Sequence, residues 1–347
     1  MSSPTNLPRL YLGTMTFGWD QASSYVDSAI ATEMIKVFAS YGHRNIDTAR
    51  IYSGGACEPI VATAIQNSNV KDLLVGTKAH PSQEGGLSPA GLQSQFTTSC
   101  EALQTTSVHE YYLHQPDPST PLLSSLRHAS NLLSTGAITH LGLSNFSSSE
   151  VSHCLSLCRE HSLPPPTLYQ GLYNPLNRLI EPSLLPLLHS NNISFIAYNP
   201  LAGGLLTGSH TSPSSPPPGR FNKNPNYLPR FYTPPNFHAL SLIKTACKNS
   251  NISLIEATYS WLLFHSSLTS SDGLLIGASN LNQLKQNLKA CTDPKPLSQE
   301  VINSFDEGWD IIESSGEAFK YWRGYSSDMP GKDSLDHGSV YSANKTK

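Results

Sequence analysis

Short apolar runs along this chain alternate with longer stretches whose apolar residues recur at helical spacing. The runs fall at residues 11–14, 45–46, 73–76, 111–113, 138–143, 167–169, 194–197 and 274–276. Between them Leu122, Leu126, Ala129 and Leu133 recur at i, i+4, i+7 and i+11, and Val301, Phe305, Trp309 and Ile312 also repeat at helical spacing near the end. Buried strands separated by amphipathic helices mark βα units and a parallel sheet. Eight such units close a parallel barrel, usually in about 250 residues plus insertions. The fold class is therefore α/β, a (β/α)8 TIM barrel with a C-terminal helix and tail. An open doubly wound sheet would need a glycine-rich phosphate turn after its first strand. The segment from Gly13 to Gly18, GTMTFG, matches that turn poorly.

Two regions interrupt the rhythm. Residues 203–236 follow the seventh strand and carry Gly203, Gly204 and eight prolines, from Pro213 to Pro235. A connection of that length is expected to be a lid or a mobile loop burying little apolar surface of its own. The Ser/Asp/Gly-rich tail after about Gly324 is expected to fray. Residues 1–330 thus read as one barrel domain, and 331–347 as a flexible tail.

Composition narrows the function. Charged residues make up 14% of the 347, against about 25% in an average soluble protein. Net charge is −3, without the basic excess of a nucleic-acid binder. No run approaches the roughly 18 apolar residues of a membrane span. Residues 1–5 resemble no secretory signal and residues 344–347 no lipidation signal, so the expected location is cytoplasmic. Six cysteines are scattered without a CxxC pair, which predicts reduced thiols and no metal site.

Barrels of this kind build function at the C-terminal ends of their strands. Those positions hold Asp47, Lys78, His114, Ser144 with Asn145, Gln170, Tyr198 and Ser279. Taken singly, Asp47 reads as a helix cap, Lys78 as a surface lysine and His114 as a loop histidine. Together at successive strand ends, with Tyr52 five residues after Asp47, they read as a site. A free phenol ionises near pH ~10, too high for easy proton exchange at neutral pH. An ammonium beside it favours the phenolate, and a carboxylate keeps that ammonium charged and placed. An imidazole then orients a carbonyl oxygen. Asp47, Tyr52, Lys78 and His114 therefore suit a proton donor that completes a hydride transfer. A metal hydrolase would want an HxH pair, and none occurs among the 13 histidines.

These residues lie in motifs that resemble the aldo-keto reductase superfamily, and in particular its aflatoxin-aldehyde-reductase-like branch and fungal relatives. The motifs are GTMTFG at 13–18, NIDTA at 45–49 with Tyr52 and Ser53, GTKA at 76–79, YLHQPD at 112–117 and LGLSNF at 141–146. They continue with YQGLYN at 169–174, AYNPLAGGLLTG at 197–208, GRF at 219–221 and IGASNLNQLKQN at 276–287.

The resemblance implies that Asp47, Tyr52, Lys78 and His114 form the catalytic tetrad. It implies that Ser144, Asn145 and Gln170 hold a nicotinamide carboxamide over Tyr198. Leu201, Gly203, Leu205 and Thr207 would meet the pyrophosphate, and Ser279, Gln283, Gln286 and Asn287 the adenosine end. Many members place Lys and Arg where this chain has Ala278 and Gln283, so Arg220 or Lys223 is expected to supply the positive charge toward a 2′-phosphate. Met15, Trp19, Phe146, Tyr173, Trp322 and Arg323 are expected to wall the substrate pocket. The implied activity is reduction of an aldehyde or ketone by NADP(H), with Tyr52 as proton donor, in detoxification or secondary metabolism. The expected partners are a small-molecule carbonyl and at most a second copy of the chain. Relatives of this fold also serve as cofactor-sensing regulatory subunits of potassium channels, and the tetrad alone does not separate the two roles.

Overall fold

A computed structural model describes residues 7–214, 216 and 219–339. Its strands are β1 (Arg9–Gly13), β2 (Asn45–Asp47), β3 (Leu74–Ala79), β4 (Val108–Leu113), β5 (Ile138–Ser144), β6 (Leu168–Leu172), β7 (Ser194–Tyr198) and β8 (Gly273–Gly277). They pair in sequence order, all parallel, and β8 returns to β1, so the barrel closes. Each predicted run overlaps one of these strands, although Thr14, Leu73 and Thr167 fall just outside theirs, and several strands are longer than expected. The helices are α1 (Ser28–Ser40), α2 (Cys57–Ser68), α3 (Pro89–Leu103), α4 (Leu122–Ser134), α5 (Ser148–Glu160) and α6 (Leu184–Ser190). Five more follow β7: α7 (Leu228–Phe231), α8 (Pro234–Asn249), α9 (Leu254–Phe264), α10 (Leu281–Thr292) and α11 (Gln299–Ser314). The serine-rich composition finds a use at helix starts. Ser88, Ser147, Ser253 and Ser298 each accept a backbone N–H from their own first turn, and Glu256 completes a capping box with Ser253.

Most of the core lies between strands and helices, where Leu12, Ile46, Leu113, Leu143, Phe195 and Ile276 meet helix residues such as Met34, Phe38, Leu126 and Ala129. In the last turn of α4 the buried leucine is Leu132, while Leu133 is half-buried. A smaller cluster fills the barrel itself: Tyr11, Tyr112, Leu168, Ile196 and Leu275. There the phenols of Tyr11 and Tyr112 donate to the two oxygens of Glu110, at 3.0 and 2.7 Å. Burial raises the Glu110 carboxyl above its ordinary pKa, although both phenol hydrogen bonds pull the other way. These rings fit because small residues face them. A Cβ at Gly142 would overlap the Tyr112 ring, and one at Gly273 would come within 2.7 Å of the Tyr11 ring.

Two expectations need correction. Among its described residues, the segment 203–236 carries regular structure: most of the 3₁₀ turn Ala202–Thr207, then α7 and the start of α8. Leu205, Leu206, Phe221, Tyr227 and Phe231 are buried, and the rings of the last three close around Gly203. Its aromatics, not its prolines, decide its structure. The tail is also held down as far as Ser339. Ser326 N–H donates to Glu150 (3.1 Å), and Asp328 accepts the N–H groups of Leu122 and Leu123 (2.7 and 3.3 Å) at the start of α4. Arg323 pairs with Gly338 in an antiparallel bridge, and Ser339 N–H donates to Trp322 O at 2.9 Å. The expected flexible residues 340–347 lie outside the described ones. Among the described residues no helix is long and apolar enough to cross a membrane.

Gly142→Ala should cost about 1–3 kcal/mol, because the Tyr112 ring must move within a packed barrel and strain its bond to Glu110. Urea unfolding measures this; an unchanged midpoint would show that the interior yields freely.

Candidate active site

Four elements converge at the C-terminal mouth of the barrel. Asp47 is the last residue of β2, Lys78 the fifth of β3, and His114 directly follows β4. Lys78 is completely buried, and its Nζ donates to Asp47 Oδ1 at 2.6 Å and to the Thr48 carbonyl at 2.8 Å. Gln170 Nε2 donates to the same carboxylate oxygen at 2.8 Å. Tyr52 stands on a tight turn (Tyr52–Gly55) in which Ser53, Gly54 and Gly55 all have positive φ. The Ser53 hydroxyl pins that turn to Phe17 O at 2.7 Å. The Tyr52 ring therefore lies with its centroid 5.1 Å from Lys78 Nζ and 5.9 Å from the His114 ring, edge to face.

His114 is held from the other side by a second network. Asn145, at φ 60°, donates through Nδ2 to the His114 carbonyl (2.8 Å) and to Ser144 Oγ (3.0 Å). Tyr198 donates its phenol to Asn145 Oδ1 at 2.8 Å, which fixes the half-buried Tyr198 ring at the mouth. Burial, with His80 and the positive charges of Lys78 and Arg323, holds the His114 imidazole well below the usual histidine pKa. It is neutral at pH 7 and can serve as a hydrogen-bonding group without carrying charge. Asp47 Oδ2 and His114 Nδ1 are buried and have no hydrogen-bond partner among the described residues. Together with the Ser144 hydroxyl and the Gln170 amide, they leave polar atoms at the mouth for a bound ligand.

Further along the rim, Ser279 N–H donates to Gln283 Oε1 (2.9 Å), and Asn280 caps α10. Asn287 is buried and donates to Gly277 O at 3.1 Å, while Gln286 is exposed. The Ser23 and Ser279 hydroxyls lie 2.8 Å apart. Thr207 bonds to Gly204 O at 2.7 Å, and the backbone turns at Gly203 and Gly204 with φ 68° and 113°. The Arg220 guanidinium lies 5.6 Å from the Trp19 ring centroid and 5.1 Å from that of Tyr227. Met15, half-buried, accepts a contact from the Tyr227 phenol at 3.6 Å. Ser144, Gln170 and Tyr198 thus lie on β5, β6 and β7, and Ser279 just past β8, four neighbouring strands of the barrel.

Some expected residues sit elsewhere. Tyr173 is fully buried against Phe195 and Trp261, with its phenol donating to Glu181, so it does not wall an open pocket. Phe146 is likewise a core side chain, and so is Leu205, which leaves only its backbone for a ligand. Trp322 donates its indole N–H to Asp336 O and packs against Tyr321. Arg323 does reach the mouth: its N–H donates to Asn145 O (3.0 Å) and its guanidinium approaches Gln115.

His80 was not foreseen. Its ring meets His114 edge to face at 5.1 Å, and its Nδ1 accepts the Ser82 N–H at 3.1 Å. Strand alternation was the signal that points to it, since residues 78 and 80 share one face as 112 and 114 do.

A parallel barrel whose mouth joins a buried lysine–carboxylate pair, a tyrosine and a neutral histidine defines an oxidoreductase acting on carbonyl groups. The chain belongs to the aldo/keto reductase family, whose model matches residues 9–310. It is 36% identical over 319 residues to aflatoxin B1 aldehyde reductase member 2 of Mus musculus, covering 88% of this chain and 85% of that one. Human aldo-keto reductase family 7 member A3 is 34% identical over 88% of this chain and 95% of its own length. Aldo-keto reductase pigE of Monascus ruber is 32% identical over 81% and 87%. Members of this family work with a nicotinamide cofactor.

The buried histidines set an acid limit on stability. Burial, with Arg323 nearby, lowers His80 from 6.5 to about 4. Below pH ~6.5 the unfolded chain takes up a proton that the folded form refuses, so stability is complete above that pH and falls toward pH ~4. His80 alone accounts for on the order of 3 kcal/mol of that loss. His80→Asn keeps an acceptor for Ser82 and should flatten the dependence of urea midpoints on pH across this window. Equal slopes for both proteins would refute the assignment.

Proposed function

We propose that the protein reduces an aldehyde or ketone to the alcohol with NADPH, and that Tyr52 gives the proton. The Lys78 ammonium, bound at 2.6 Å to Asp47 and facing the Tyr52 ring at 5.1 Å, carries this reading. When bound, the reduced nicotinamide supplies the hydride to the carbonyl carbon. Tyr52 supplies the proton to the carbonyl oxygen, and Lys78 meets the negative charge left on the phenol. Asp47 keeps Lys78 charged and aimed, and His114, neutral, orients the carbonyl oxygen by a hydrogen bond. Ser144 and Gln170 hold the carboxamide. Asn145, whose amide bonds internally, aligns His114 and Tyr198 around it. Tyr198 gives the ring a flat face.

Residues 203–236 cover the dinucleotide, with Arg220 toward its phosphates and Ser279, Gln283, Gln286 and Asn287 around the adenosine. Met15, Trp19 and Arg323 border the carbonyl substrate. An aldehyde on a ring system fits this border, and the mouse relative is named as an aldehyde reductase.

Tyr52→Phe should lower carbonyl reduction about 10²–10⁴-fold, the usual worth of general acid catalysis, while NADPH still binds. Turnover is followed by loss of cofactor absorbance with a panel of aldehydes and ketones. Near wild-type rates in the Phe variant would reject Tyr52 as donor.

NADPH should bind more tightly than NADH, by less than a direct Lys/Arg clamp would give, because Ala278 and Gln283 are uncharged. Arg220→Ala should narrow the gap. Equal dissociation constants for the two cofactors in the unmodified protein would sink this preference.

A further inference from the structure

Behind Tyr52 and Lys78 lies a second buried ion pair that the chemistry above does not use. Arg50, three residues after Asp47, forms a salt bridge through Nη1 with Glu58 Oε2 in the first turn of α2. Glu58 is completely buried and the Arg50 side chain is 13% exposed. Both ends of the pair have further partners. Arg50 Nη2 donates to the carbonyl of Gly55 at 2.9 Å, which ends the turn carrying Tyr52. Glu58 Oε1 accepts the hydroxyl of Thr77 at 2.7 Å, and Thr77 is the residue before Lys78. The Arg50 backbone N–H donates to the Lys78 carbonyl at 3.2 Å.

We infer that Arg50 and Glu58 are positioning residues, a clamp that sets the separation between the Tyr52 phenol and the Lys78 ammonium. The two groups stand on different segments, a turn after β2 and the interior of β3, with no covalent link shorter than 26 residues between them. The turn cannot hold itself. Ser53, Gly54 and Gly55 occupy the left-handed region in succession, at φ 51°, 62° and 98°, which a non-glycine residue such as Ser53 adopts only when its surroundings impose it. The guanidinium reads the turn and the carboxylate reads the strand, so the fork geometry of arginine transmits the position of one to the other. Space is shaped for this as well. A Cβ at Gly55 would overlap Arg50 Nη2, so the absent side chain is what lets the guanidinium reach the turn.

The inference rests on the reading of Tyr52 as proton donor, and the test separates the two. Removing one partner leaves a buried charge alone and risks misfolding, whereas replacing both by apolar groups is tolerated. The variant of choice is therefore Arg50→Met with Glu58→Met, accompanied by Arg50→Lys and Thr77→Val. The double variant should lose about 10- to 100-fold in kcat, the scale of a misplacement near 1 Å, while the carbonyl KM and the NADPH Kd stay within about threefold. Arg50→Lys, which keeps the charge but not the fork, should recover part of the rate. Thr77→Val, which frees the strand but leaves the ion pair, should fall between. A double variant within threefold of wild-type kcat overturns the inference. So does a loss of NADPH affinity as large as the loss of kcat, which would mark a general structural role. Tyr52→Phe measured alongside isolates the underlying reading: if that variant turns over normally, the donor assignment fails, whatever the clamp variants do.

Discussion

The burial of one ammonium at the mouth of the barrel governs how the site is built. Lys78 has no contact with solvent, and a bare charge there would cost far more than the fold gains from any single contact. It is tolerated because Asp47 and the Thr48 carbonyl accept its hydrogen bonds, and because the Tyr52 and Tyr112 rings flank it with centroids at 5.1 and 5.5 Å. Asp47 must in turn be held, and Gln170 does that from across the barrel. The strands that supply these groups are kept in register by a barrel whose interior accommodates Tyr11, Glu110 and Tyr112 only opposite glycines. Catalytic geometry and barrel packing are thus one problem, solved by the same layers of side chains.

Much of this is legible in the chain because a parallel barrel places the residues at the ends of apolar runs at one mouth. Asp47, Lys78, His114, Ser144 and Gln170 are polar or charged types at the edges of such runs, where a core would place leucine or valine. Aromatic residues give no such contrast. Tyr173 lies three residues past Gln170, so strand alternation turns it toward the helices, and Asn145 at φ 60° breaks the alternation before Phe146. Both are therefore packed where residue type alone suggested a pocket wall.

The segments that were read as loose fail for a different reason. Proline and glycine in 203–236 announce an absence of regular structure, and against them stands only one i, i+4 pair, Tyr227 and Phe231, with Phe221 six residues before it. They find one another only once the chain has folded. The tail depends on partners still more distant, Glu150 on α5 and the first turn of α4, whose identities carry no local signal. His80, by contrast, was within reach: alternation from Lys78 alone puts it on the inner face.

The cap on α4 also orders events in time. Pro121 precedes that helix and offers no side-chain cap, so the N–H groups of Leu122 and Leu123 rely on Asp328, 206 residues after Leu122. At about 5–20 residues per second, a ribosome needs roughly 10–40 s to deliver that carboxylate after the helix itself has been made. The barrel itself stays open until β8 is made to meet β1, and β8 still precedes Asp328 by 51 residues. The nascent chain therefore spends most of its synthesis with an open sheet edge and an uncapped helix. Its final stretch acts as a latch, engaging only after every strand has been made.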